Sequence, residues 1–224
     1  MDELLTPLRP DLIAEANHRV ANSLTLLCGL VRMQARQVGR ATQSFSNAEV
    51  RMMFDGFAAR LSTVGQLHRM LAHMPPDGTV DLAAHLRDLS SVLIASFSSE
   101  QQQVHIEHQG MECHVLARNV QPLTLVLCEI ITNAMKYAHP SGVPVRLVIR
   151  CEGMGNGDLL VSVSDDGVGL PEDFDSTKDG GVGFQIIRSL TAEMGATLNV
   201  SSDNLGATFR LAVPRAFIAN AQTA

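Results

Sequence analysis

Positive charge is scarce in this chain. Its 224 residues carry 17 lysines and arginines against 23 aspartates and glutamates, a formal net charge of −6. Phosphate-backbone binding needs a basic face, and no basic stripe occurs here, so nucleic acid is disfavoured as a partner. Cysteine is equally sparse. Cys28, Cys113, Cys128 and Cys151 are far apart, form no CxxC and share no metal-ligand spacing with histidine. Without a signal peptide, four such thiols are expected to be reduced, in a cytoplasmic protein. No apolar run approaches the roughly 18 residues that a spanning helix requires, so no membrane span is expected. Internal repeats and low-complexity segments are missing too. A long helical pattern begins almost at once, so no N-terminal sensory region is expected in this sequence, and any signal is expected from a separate sensor partner or from a sensor outside this chain.

What is present begins with two helical patterns. Residues 11–40 read as one helix, with Ile13, Val20, Leu24, Leu27 and Val31 in a three–four rhythm, Asn17 in the one polar slot, and Pro10-Asp11 as a start signal. A polar break at 41–47 separates it from a second helix at 47–73. There Val50, Phe54, Phe57, Leu61, Val64, His68 and Leu71 alternate steps of four and three, and His68 reads as a structural seam residue. Two such helices joined by a short loop predict an antiparallel hairpin. One hairpin cannot bury two seams, so two hairpins are expected to pair as a four-helix bundle in a homodimer.

Met74-Pro-Pro-Asp-Gly78 stops the second helix and marks a boundary. It divides the chain into a helical hairpin at 1–75 and a second domain at 76–224. In the second domain, helices are predicted at 81–97, 118–138 and 183–194, the last ended by Gly195. Strands are predicted at 104–108, 143–151, 159–164, 196–201 and 208–213, with 113–116 as the partner of 104–108. Helices and strands do not alternate regularly, so the expectation is an α/β sandwich of two layers with a mixed sheet rather than a βαβ series. The fold class is therefore α + α/β. The tail from 215 is expected to fray.

The chemistry concentrates in the second domain. Glu129, Asn133 and Lys136 stand at i, i+4 and i+7, which aligns a carboxylate, an amide and a cation on one helix face. A triphosphate with a divalent ion needs oxygen ligands, a cation for the outer phosphates and close backbone N–H groups. Asn133 can offer its amide oxygen to Mg²⁺, Lys136 its charge to a phosphate, and Glu129 a hold on a metal-bound water or a base. Asp165 ends an apolar strand and opens the turn Asp165-Asp-Gly167-Val-Gly169, where a carboxylate can accept from an exocyclic amine such as that of adenine. Gly180, Gly181 and Gly183 precede a helix whose N-terminus can face phosphate.

In order and spacing these motifs resemble those of two-component sensor histidine kinases, whose nucleotide domain has the Bergerat fold shared with gyrases, heat-shock-90 chaperones and mismatch-repair ATPases. Glu129-Ile-Ile-Thr-Asn133-Ala-Met-Lys136 is similar to the asparagine box. Asp165 to Gly169 resembles the first glycine box, whose aspartate holds adenine, and Gly181-Val-Gly183-Phe-Gln-Ile186 the second. Gly206-Ala-Thr208-Phe209 looks like the closing strand, where the resemblance makes Thr208 a support for the adenine end.

Upstream, Glu15-Ala-Asn-His18-Arg19-Val20-Ala-Asn22 resembles the phosphoacceptor of the subfamily with a His-Arg-Val-Lys-Asn helix. His18 lies about 100° off the Asn17, Val20, Leu24 seam, which puts its imidazole on the bundle surface. Ala21 replaces the subfamily's frequent lysine, and the absence of tryptophan argues against the sister subfamily named for His and Trp-x-Glu motifs. The resemblance implies Mg-ATP-dependent phosphorylation of His18 and transfer to an aspartate on a response regulator receiver domain. Glu15, at i−3, is placed to accept a proton from the ring. Asn22, at i+4, is placed to orient water for phosphatase activity. A phosphotransferase or phosphatase with little kinase activity is the alternative, although such proteins tend to lose the asparagine and glycine boxes. A serine kinase of the anti-sigma-factor type ranks last, since that class lacks the hairpin.

Overall fold

The computed structural model describes residues 44–71, 78–97, 103–139 and 143–218, with positions 21, 25, 28–29, 31–36 and 38–39. Those scattered positions are all helical and constitute α1. His18, Glu15 and Asn22, together with the start of the first predicted helix, lie outside the described residues.

α2 (Asn47–Leu71) begins on a reciprocal cap. The Glu49 carboxylate accepts from the Ser46 backbone N–H at 2.7 Å and from its hydroxyl at 2.8 Å, while Ser46 Oγ accepts from the Glu49 N–H at 3.2 Å. This Ser-x-x-Glu box satisfies donors that a helix start would leave open. Only part of the predicted seam is used within the chain. Val64 and Leu71 are buried, but Val50, Phe54 and Leu61 are exposed. The buried stripe runs instead through Gly56, Ala59, Arg60, Thr63 and Leu67, and it packs on a helix of the second domain.

After α2 come β1 (Thr79–Asp81) and α3 (Leu82–Phe97), whose Leu82, Leu86, Leu89 and Leu93 are fully buried at helical spacing. β2 (Val104–Gly110) and β3 (His114–Leu116) follow. The predicted pairing of these two is corrected by the structure: β3 pairs antiparallel with β1, and β2 pairs in parallel with β4 (Val145–Gly153). Gly110 turns the chain with φ 102°, the Met111 N–H bonds to the Cys151 carbonyl, and β3 is delivered to β1 rather than back onto β2. Bonds from Leu82 N–H to Cys113 and from Ala117 N–H to Gly78 close that small ribbon.

A single turn of 3₁₀ helix leads into α4 (Val120–Tyr137). β5 (Leu159–Asp165), α5 (Val182–Glu193), β6 (Thr197–Asp203) and β7 (Gly206–Val213) complete the domain. The main sheet has the order β2-β4-β5-β7-β6 with only the β2–β4 pair parallel. It is mixed, as expected. Along β5 and β7, Val161, Val163, Phe209 and Leu211 point to the helical layer while Ser162, Ser164, Thr208 and Arg210 point away. α4 is buried on nearly every side, which explains why its apolar residues show no clean stripe. Burial pushes the Cys128 thiol on this helix up to about 12, helped by neighbouring Glu129, so it stays protonated. Residues 215–218, within the stretch expected to fray, are held in place. The Arg215 N–H bonds to Asp158 Oδ1 at 2.9 Å, and Ile218 bridges to Val115.

Candidate nucleotide site

Asp165 terminates β5 on the face that looks toward the helices. Its Oδ1 accepts from the Gly167 N–H at 3.0 Å and the Ala207 N–H at 3.3 Å, which fixes the rotamer and leaves Oδ2 for a ligand. Burial raises this carboxyl's pKa, and the two backbone donors offset part of that rise. Gly167 is needed for close approach: a Cβ there would lie 2.5 Å from both Cα and the carbonyl oxygen of Ala138, just beyond α4. The Val168 N–H bonds to that same oxygen at 2.9 Å. Gly169 adopts φ 75°, where an L side chain is strained and would meet the Asp203 carbonyl. Together these contacts tie the turn after β5 to the end of α4 on one side and to β6 on the other. Asp166 points elsewhere, accepting from the Arg146 N–H at 2.9 Å and lying 3.1 Å from His139 Nε2.

The loop from Leu170 to Gly181 folds on itself. Asp175 accepts from the Thr177 N–H at 2.9 Å and hydroxyl at 2.6 Å, and pairs with Lys178 at 3.0 Å. Arg188 on α5 reaches back to the carbonyls of Ser176 and Asp179 at 3.1 and 2.7 Å. Underneath, Phe174 tilts against Phe184 at 4.9 Å, and Phe184 against Phe209 at 6.0 Å.

These pieces enclose a cavity of about 620 Å³, a size suited to a nucleotide-scale ligand. Asn133, Lys136, Asp165, Gly169, Gly181 and Gly183 line it. α1 and α2 supply the facing wall through residues such as Val38, Met52, Met53 and Arg60. Asn133 Nδ2 is buried without a hydrogen-bond partner among the described residues, an orphan donor that a polar ligand would satisfy. Among those residues no three acidic, histidine or cysteine side chains converge as a metal cage. Mg²⁺ held chiefly by phosphates and water needs only one or two protein oxygens, so the Asn133 amide fits its demands.

Three predicted site residues stand apart from the cavity wall. Gly167 acts by packing, as above. Thr208 is corrected by strand alternation: it lies on the outer face of the sheet, where its hydroxyl donates to Ser164 Oγ at 3.0 Å, and its neighbour Ala207 faces the cavity. Glu129 is 1% exposed, and both its oxygens are taken by Arg60, Nε donating to Oε1 at 2.5 Å and a terminal nitrogen to Oε2 at 2.7 Å. Burial would lower the Arg60 pKa, but Glu129 outweighs it and holds the guanidinium charged. Burial and the Arg60 charge lower the Lys136 pKa, with Glu129 and Asp55 opposing. Arg60, Phe174 and Arg188 escaped the sequence reading, and Phe184 and Phe209 entered it only as members of motifs, with no role assigned. Only the Gly56–Arg60 spacing, off the heptad seam, hinted at a second interface on α2.

Comparison with known proteins agrees with this arrangement. The family described as "Histidine kinase-, DNA gyrase B-, and HSP90-like ATPase" matches residues 118–216, and a "Histidine kinase" family matches 15–97. The chain is 27% identical over 206 residues to "Blue-light-activated histidine kinase 2" of Erythrobacter litoralis, covering 90% of this chain and 56% of that protein. It is 30% identical over 190 residues to "Sensor histidine kinase PdtaS" of Mycobacterium tuberculosis, covering 84% and 36%. The chain thus spans little more than half of the first relative and about a third of the second. A solved blue-light activated histidine kinase of Erythrobacter litoralis superposes with a TM-score of 0.68 at 25% identity, over 96% of this chain and 62% of that one. Its isolated histidine kinase domain gives the same TM-score of 0.68 at 24% identity, over 92% and 94%. With a helical region leading into an α/β ATPase domain whose aspartate, asparagine and glycines surround one cavity, the chain belongs to the histidine kinases and comprises their catalytic core.

Proposed function

We propose that the chain binds ATP in this cavity, passes the γ-phosphoryl group to His18, and hands it on to an aspartate of a response regulator receiver domain. The observation that carries the proposal is the shared wall: helices of the phosphoacceptor hairpin and the nucleotide-binding residues of the second domain line one cavity. Asp165 accepts the exocyclic amine of adenine through Oδ2. Lys136 lies toward the phosphates, and the N-terminal glycines of α5 present backbone N–H groups to them. Mg²⁺, when bound, would neutralise the charge on the phosphate oxygens; Asn133 is the residue proposed to hold it, because both oxygens of Glu129 are engaged by Arg60. Neutral His18 attacks the γ-phosphorus through one ring nitrogen as the bond to the β,γ-bridging oxygen breaks and ADP leaves, and Glu15 accepts the proton from the other nitrogen. Asn22 orients water when the regulator is dephosphorylated. Gly167 shapes the turn.

The same reading makes the hairpin the dimer interface and the docking face for the receiver. Val50, Phe54 and Leu61, exposed in the single chain, are apolar positions that a second copy would cover. Among the described residues no helix is long and apolar enough to cross a membrane, and the proposal puts the reaction in the cytoplasm, where ATP and receiver domains meet.

The test is incubation with γ-labelled ATP and Mg²⁺, alongside His18→Ala and Asn133→Ala. Acid-labile, alkali-stable label on wild type and on neither variant is expected. Absence of label with ATP binding intact would replace this reading with a partner-activated kinase or a phosphatase; absence of both would favour a phosphotransferase. Glu15→Gln should slow labelling, and a wild-type rate would remove Glu15 as the base.

A further inference from the structure

The charge of Glu129 does not go to the cavity. It goes to a residue of the hairpin sixty-nine positions earlier in the chain. We propose that Arg60 is a positioning residue for phosphoryl transfer: by gripping Glu129 it seats the second hairpin helix on α4 and so sets how the hairpin is presented to the nucleotide. The proposal rests on the kinase reading above.

Four observations converge on it. The contact is two-pronged, one guanidinium nitrogen to each carboxylate oxygen at 2.5 and 2.7 Å, which fixes direction as well as distance. Both side chains are withdrawn from water, at 9% and 1% exposure. Either one alone would be an uncompensated buried charge, so the pair enforces contact between the two helices. The flanking turns of α2 are cut to the same helix. A Cβ at Gly56 would lie 2.6 Å from Lys136 Nζ, and Thr63 Oγ1 lies 3.5 Å from Cys128 Sγ. Gly56, Arg60 and Thr63 thus form one stripe fitted to Lys136, Glu129 and Cys128. Finally, Glu129 also lies against the start of α5, because a Cβ at Gly183 would sit 2.9 Å from Oε2.

The hairpin, α4 and the start of α5 therefore meet at a single carboxylate, with Arg60 itself on the cavity wall. Release of that grip lets the hairpin shift relative to the nucleotide without removing any group that holds adenine. Attack requires the reacting atoms to be aligned at close range, and a displacement of order 1 Å lowers the rate about a hundredfold.

The experiment uses the full chain with Arg60→Met, Arg60→Lys, Glu129→Gln and the Arg60→Met/Glu129→Gln pair. ATP affinity is read by calorimetry, and the labelling rate at saturating ATP by filter assay. ATP affinity is expected to change little. The rate is expected to fall about a hundredfold in Arg60→Met and in Glu129→Gln, and no further in the double variant, because each acts through the other. Arg60→Lys keeps the charge without the fork and should fall in between. Additive losses, or loss in Glu129→Gln with Arg60→Met at the wild-type rate, would overturn the proposal and return Glu129 to the metal or the chemistry. Should Arg60→Met fail to fold, Arg60→Lys at the wild-type rate overturns it alone. Should wild type take no label, the kinase reading falls separately. Hydrogen exchange of residues 56–67 then decides: equal loss of protection in each single variant supports the docking pair, and unchanged protection refutes it.

Discussion

Asp165→Asn should weaken ATP binding and stabilise the nucleotide-free fold at once. The amide is isosteric, and its oxygen still accepts from the Gly167 and Ala207 N–H groups that now lie 3.0 and 3.3 Å from Oδ1. The other carboxylate oxygen becomes an NH₂ group facing the adenine amine, donor against donor. Loss of a charged acceptor is worth about 1.5–3 kcal/mol and an orphaned donor about 1–3 kcal/mol, so binding should weaken by roughly 2.5–6 kcal/mol. That is on the order of 10²- to 10⁴-fold in Kd. The stability effect has the opposite sign. Burial raises the folded-state pKa of Asp165, so the folded chain binds more protons than the unfolded chain between the ordinary carboxyl value and the raised one. Stability is therefore lost as pH rises through that window, and at neutral pH the ionised group opposes folding. The neutral amide removes that opposition. Calorimetric titration with ATP and a melting curve without it read the two effects on one sample. ATP affinity near wild type would refute the assigned role of Asp165, and a lowered melting temperature would refute the electrostatic argument.

Three further outcomes follow from the same geometry. Gly167→Ala forces a methyl group onto the Ala138 backbone at 2.5 Å; overpacking of about 1–3 kcal/mol should lower the melting temperature by roughly 2–12 °C, and an unchanged melt would show that the turn can yield. Arg188→Met removes the bonds to Ser176 and Asp179 that pin the loop, so trypsin should cut after Lys178 faster than in wild type, and an equal rate would mean the loop holds itself. Burial raises the Asp166 pKa, but the Arg146 N–H and His139 outweigh it and the net shift is downward. Its contribution is present above the unfolded carboxyl value of about 3.9 and disappears as pH falls through the lower folded value. Asp166→Asn should therefore flatten the acid limb of stability against pH, and superimposable limbs would dismiss the interaction.

The local geometry of the site was legible because it is written in near-neighbour spacing. Asn133 and Lys136 face one cavity because a helix repeats every three to four residues, and Asp165 with its glycines forms a turn because the strand before it is apolar and the residues after it can bend sharply. Thr208 shows the limit. Its neighbourhood was recognised, but a strand alternates faces at every residue, and a difference of one position decides between cavity and solvent. The β3 pairing failed for a related reason. Sequence proximity favoured β2, whereas the turn at Gly110 and hydrogen bonds at Met111, Cys113 and Gly78 delivered the strand to β1.

On α2 the regular heptad pattern concealed a second, less apolar stripe. Gly56, Arg60 and Thr63 carry little hydrophobic signal, and their partners Lys136, Glu129 and Cys128 lie more than sixty residues away. Periodicity along the chain determined which helices form, but not which face of α2 is buried. Only the tertiary structure decided where the buried charge of Glu129 finds its partner. Desolvation makes an ionised side chain depend on whatever opposite charge the fold places beside it, and that is a property of packing rather than of neighbouring letters.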